Sequence, residues 1–327
     1  MPTLLATRKM SPELRQRIEA SVSGRRAGGV GRLSPRWMMV LRGGTLATVL
    51  ALTCWILASH KAADRKLESA RQDLLGRWRR EASGMSASDK ALVERVAPWV
   101  EEATAGYQGD WIGSELEASS ALAVTLKRPI VYLRGPLEVL KTPSGMREVA
   151  VSSGADALVL CLIDPPEDRT ERQLLGRVRS AYGRGKRMQV ASAHVERLGV
   201  AVLGLPYLSD GWAQKVREAS DARELSRLRA SFESAPLKRA RAAARAELLL
   251  LAVDEPGDVS VPAELDGERP HSVRISLVDL RSHKLLLRLR HAVDPSWLSA
   301  GTRAEYARGM DDCALALDVH GAAVSGR

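Results

Sequence analysis

Aromatic residues make up only 4% of this chain, and Phe232 is its single phenylalanine. A core must therefore be assembled from Leu, Val and Ala. Hydrophobic residues reach 45% of 327, enough for a sizeable core and incompatible with wholesale disorder. Cysteine is also scarce. Cys54, Cys161 and Cys313 lie far apart in apolar settings, a pattern with neither a disulfide framework nor zinc-ligand spacing. Cys161 and Cys313 are expected to be buried small hydrophobes, with a bridge between them as the alternative. Catalytic signatures are missing too. No G-x-S-x-G, H-E-x-x-H, C-x-x-C or G-x-x-x-x-G-K-[ST] occurs, and the six histidines include no i, i+4 pair. Nucleophilic catalysis has no candidate, and no cofactor is expected. Gly183-Arg-Gly185-Lys186 has the wrong spacing for a phosphate loop and reads as a basic surface turn.

What is abundant is positive charge, and it is unevenly placed. The formal net charge is +10, yet residues 1–42 hold nine basic residues against Glu13 and Glu19, a net of +7. The remainder is nearly neutral. A nucleic-acid-binding domain would concentrate charge on the fold itself, so nucleic acid is not an expected partner.

Immediately after this arm comes the run Gly43–Ser59, GGTLATVLALTCWILAS, without a charge in 17 residues. That length sits at the lower edge of what crosses a bilayer. The preceding Trp37–Leu41 stretch extends it, because the long stem of Arg42 can snorkel. The excess of positive charge predicts a cytoplasmic arm and an exported remainder. Lys61, Arg65 and Lys66 on the other flank weaken that bias without reversing it. In the arm, Ser11-Pro12-Glu13 is a helix start, and Gly28, Gly29, Gly31 and Pro35 form a linker.

Beyond the run, residues 60–82 continue as helix with Leu67, Leu74 and Trp78 on one side. A break at 83–88 precedes a second amphipathic helix near 89–104. Strands are expected at Ala121–Leu126, Ile130–Leu133, Leu137–Leu140, Ala157–Ile163, Val200–Leu205, Leu248–Val253, Val273–Asp279 and Leu285–Leu289. Residues 187–198 fit either a helix or a strand. Helices are expected from Thr170, from Asp221 with Glu224 as a capping pair, from Pro236, and over Gly301–Asp318. Strands mixed with helices and closed by a hairpin imply an α/β or α+β fold with a mixed sheet. The expected organisation is a cytoplasmic basic arm (1–36), a transmembrane helix (37–59), a helical stalk (60–118) and an extracytoplasmic α/β domain (119–327). The unit VRISLVDLRSHKLLLRLR plus the last helix is similar to the closing unit of bacterial envelope proteins of the curli-secretion-lipoprotein and penicillin-binding-protein-activator kind. Such hairpin turns usually carry a glycine, and His283 stands in its place.

Two groups of residues are candidate sites. Asp164, Asp254 and Asp279 each end an apolar run, and the first two continue alike, as Asp-Pro-Pro-Glu-Asp168 and Asp-Glu-Pro-Gly-Asp258. Carboxylates converging beyond strand ends would hold Mg²⁺ or Ca²⁺. Arg274, Arg288 and Arg290 form a basic stripe on the closing hairpin that would meet an acidic partner. The leading expectation is a non-enzymatic, single-pass envelope protein of the inner membrane, in contact with the lipid bilayer and another envelope protein. The alternatives are an anchored hydrolase or ligand-binding domain using the three aspartates, and a transmembrane regulator acting through the N-terminal helix.

Overall fold

A computed structural model of the chain describes residue 16 and residues 35–116, 120–152, 157–182, 194–255, 257 and 269–325. Side chains are described for all of these except 35–46, 180–182, 304 and 325. Residues 1–15 and 17–34 of the basic arm, the Gly183–Lys186 segment and Asp258 lie outside the described residues. The chain divides into two compact units, Met1–Lys66 and Leu67–Arg327.

Helix α1 (Pro35–Ala82) begins in the first unit and ends in the second. Its apolar side chains from Val49 to Leu57 are exposed, Trp55 at 71%. Among the described residues, no helix is long and apolar enough to cross a membrane. Side chains on α1 are described only from Ala47 onward, so the start of the apolar run lies outside them.

The second unit opens with the remainder of α1, so the segment expected as a stalk shares in its core. It continues through α2 (Leu92–Thr104), β1 (Trp111–Ile112), β2 (Ile130–Pro136), α3 (Pro143–Ser152), α4 (Ala157–Ile163), α5 (Glu171–Tyr182) and β3 (Val195–Arg197). Then come α6 (Leu198–Leu208), α7 (Asp210–Glu218), α8 (Ala222–Ser234), α9 (Leu237–Ala244), β4 (Leu248–Glu255), β5 (His271–Asp279), β6 (Lys284–Val293) and α10 (Ala300–Ser325). Six strands form one mixed sheet in the order β1-β6-β5-β4-β2-β3, with β3, β2 and β4 parallel and the rest antiparallel. This is the mixed α/β architecture expected.

Alternation along the central strands explains the layering. Ile130 and Tyr132 of β2, with Leu248, Leu250 and Ala252 of β4, face a core closed by α4, α5 and α10. Val131, Leu133, Leu249, Leu251 and Val253 face the opposite way, onto α2, α3, α6 and α9. A strand covered on both sides has no polar face to show, hence the unbroken run LLLLAV. A third cluster joins Leu74, Leu75 and Trp78 of α1 to Trp212 and Val216 of α7 and to Phe232 of α8.

Four expected strands are helices instead. Ala121–Leu126 and Leu137–Leu140 contain short helices, and Ala157–Ile163 and Val200–Leu205 lie in α4 and α6. A helix buried on nearly every side is as uniformly apolar as a central strand, so periodicity does not separate them. In α4 every residue from Ala157 to Leu162 is buried. Helix α6 fits among its neighbours because it carries glycines at the contacts. A Cβ at Gly199 would collide with the carbonyl oxygen of Ala150, and one at Gly204 with Ala240.

Cys161 of α4 and Cys313 of α10 form a disulfide, with Cα atoms 5.0 Å apart. The expectation of two unlinked hydrophobes is thereby corrected: the cysteines are buried and also bonded. Sequence spacing hid the pair, because 152 residues separate two elements that pack side by side. The closing hairpin turns at His283, which adopts a positive φ of 53°. His283, standing where such hairpin turns usually carry a glycine, takes the left-handed conformation that glycine favours.

Candidate functional site at the strand ends

The parallel strands β2 and β4 end side by side, with Pro136 opposite Asp254. Two residues earlier, Arg134 interrupts the apolar run of β2 and is only 5% exposed. A guanidinium so deeply buried needs nearly complete pairing. Its Nε lies 3.1 and 3.0 Å from the two Asp254 carboxylate oxygens, and its Nη2 donates to Asp254 at 2.8 Å. Its Nη1 donates to Asp312 of α10. Burial alone would raise the Asp254 carboxyl. Attraction and hydrogen bonds from Arg134, with Arg308 and His271, hold it below the ordinary carboxylate value.

Asp311, next to Asp312 on α10, is also buried, and its Oδ2 has no hydrogen-bond partner among the described residues; the groups that act on it are Asp312, Trp297, Asp294 and Arg169. Burial first, then the charge of Asp312, pushes its carboxyl up to about 7. The two carboxyls shift in opposite directions, but Asp254 answers to Arg134, Arg308 and His271, and Asp311 to Asp312, Trp297, Asp294 and Arg169. The charge of Arg134 is met by Asp254 and Asp312, a buried cationic strut with its counter-ions.

Glu255 follows Asp254 and points to the opposite face. It receives Arg274 and, at 2.6 Å, Arg290. Both guanidiniums also lie over the Tyr107 ring, at 5.6 and 5.9 Å from its centre, a cation–π arrangement. Burial and the neighbouring Asp110 carboxylate raise the Tyr107 phenol. Arg274 further donates to the carbonyls of Ala103 and Ala105, and Arg288 to that of Gly109 at 3.0 Å. The expected basic stripe is therefore turned largely onto the chain's own 103–110 segment, although Arg290 remains half-exposed.

The three aspartates are not brought together. Asp164 follows a helix, is largely exposed and pairs with Arg177 at 2.6 Å. Asp254 stands at one end of β4. Asp279 lies opposite Leu248 at the other end of that strand, six residues or roughly 20 Å away at strand rise. There it caps the hairpin, accepting from the amides of Arg281 and Ser282 at 2.8 and 2.9 Å, and pairs with Arg128. Metal ligation needs oxygens within about 2.6 Å of one ion. Among the described residues, no group of three or more His, Cys, Asp or Glu could hold a metal ion.

Sequence reasoning passed over Arg134, Asp311 and Asp312. The signals were a lone arginine inside an apolar strand and an acidic pair between Met310 and Cys313 on the apolar face of the last helix. Family models, curated proteins and solved structures were all compared with the chain, and none matches. The resemblance of its closing hairpin to envelope proteins gains no support from these comparisons.

Proposed function

We propose that this chain is a single-pass membrane protein of the bacterial envelope, anchored by the helix over 37–59. In this reading the basic arm 1–36 is cytoplasmic, and the Leu67–Arg327 unit lies outside the cytoplasm and binds another envelope component. The observation that carries the anchor is the exposed apolar surface of α1. Val49, Leu50, Leu52, Trp55 and Leu57 are each at least 58% exposed, on the charge-free run Gly43–Ser59. Surface of this kind is stabilised by lipid or by a partner rather than by water. The Cys161–Cys313 disulfide supports export, because such bonds persist in oxidising compartments.

A binding role is supported by how the charges at the strand ends are used. Asp254 is committed to Arg134, and Glu255 to Arg274 and Arg290. These groups brace the sheet, leaving the surface of the unit for recognition. Photo-crosslinking in intact cells tests that role: one recurrent envelope partner is expected, and random capture would count against it. Alkaline carbonate extraction tests the anchor. The full chain should stay in the membrane pellet, and a chain lacking 37–59 should leave it. Release of the full chain would refute the anchor.

A further inference from the structure

The second part of α1 and the α8–α9 turn enclose an open cleft of about 430 Å³. We propose that it binds a small anionic amphiphile, with a carboxylate or phosphate head and a short apolar body. The volume is in the range of small-molecule sites. Its floor is apolar: Phe232 is buried and held against Trp212 with ring centres 4.6 Å apart, and Ala235, Pro236 and Leu237 continue it.

The rim carries surplus positive charge. Its two acids are already engaged, Glu233 by Arg77 at 2.9 Å and Glu81 by Arg241 at 3.4 Å. Of the basic residues, Arg239 is held by Glu196 at 2.7 Å. Arg80 and Lys238 are both exposed, and neither has an acidic partner among the described residues. The start of α9 adds no open donor at Leu237, whose amide donates to the carbonyl of Ala235 at 2.8 Å, so the two side chains supply the charge. Two cationic side chains without acidic partners favour an anion. The apolar floor beneath them favours a ligand with an apolar portion over a bare ion. This inference stands on the cleft alone and holds whether or not α1 crosses a bilayer.

The test is calorimetric titration of the full chain, in zwitterionic nanodiscs or, should it stay out of them, in buffer alone, with hexyl phosphate, inorganic phosphate and hexyltrimethylammonium. Hexyl phosphate should bind saturably, about ten-fold or more tighter than inorganic phosphate, and the cation should not bind. Arg80→Ala with Lys238→Ala should weaken hexyl phosphate about ten-fold or more, and Leu237→Ser should narrow its advantage over phosphate. Both cationic residues are exposed, so an unchanged melting temperature will show that the double variant is folded. Equal affinity in the double variant, equal binding of hexyl phosphate and phosphate, or no saturable binding by the wild type would each overturn the proposal.

Discussion

Helix α1 places the same kinds of side chain in two settings. Between Val49 and Leu57, its Leu, Val and Trp residues are exposed, whereas Leu74 and Leu75 are buried and Trp78 is 9% exposed. Propensity does not distinguish the two parts, since Leu and Trp serve a helix equally well in either. The difference lies in what covers them. In the second part, Trp212, Val216 and Phe232 provide a protein core. The first part offers its apolar surface outward, which gives the proposed anchor its physical basis. The two tryptophans Trp55 and Trp78 therefore report on different surroundings.

The sharpest way to break this comparison is to truncate each. Trp78→Ala should cost the Leu67–Arg327 unit about 3–5 kcal/mol, and Trp55→Ala less than about 0.5 kcal/mol, by chemical denaturation of the full chain in nanodiscs. Equal losses would end the distinction. A second contrast sets a buried ion pair against an exposed one. Arg134→Ala strands Asp254 and Asp312 in the core and should cost about 3–5 kcal/mol. Arg77→Ala breaks a pair whose members are both about half exposed and should cost under about 1 kcal/mol.

Next in size is the disulfide. Replacing Cys161 and Cys313 together by Ser should lower stability by about 2–5 kcal/mol, whereas Cys54→Ser should leave the unit's melting temperature unchanged. The smallest effect depends on pH. Asp311 is raised from its ordinary 3.8 to about 7, so the folded unit keeps a proton that the unfolded chain releases. Its effect on stability grows less favourable as pH climbs from 3.8 to about 7 and is constant above that. Asp311→Asn should therefore stabilise the unit at pH 8 by about 1–2 kcal/mol and make little difference below the ordinary value. Asp254 runs the other way: its lowered value contributes stability above the ordinary carboxylate range, lost as pH falls through the lowered value.

The mixed sheet was legible in the sequence wherever the chain alternated or carried a long β-rich run. Val273, Ile275 and Leu277 marked β5, and LLLLAV marked β4. ALVLCLI resembled LLLLAV because both are buried on every side, and only contacts with α10 reveal the first as a helix. The three Asp-ended runs looked equivalent for the same reason, yet Asp164 follows a helix and Asp279 lies at the far end of an antiparallel strand. The bracing cluster was harder still. Arg134, Asp254 and Asp312 are distant in the chain, and only the neighbouring ends of β2 and β4, with α10 across them, bring their charges together.

The central claim is that the first part of α1 lies in a bilayer with the Leu67–Arg327 unit outside the cytoplasm. The most direct measurement is cysteine labelling of Arg223→Cys, an exposed position on α8, in a Cys54→Ser background with a maleimide unable to cross the cytoplasmic membrane. The account predicts full labelling in intact cells, with the labelled protein resisting alkaline extraction. Labelling only after lysis, or of a protein freely released into the soluble fraction, would contradict it.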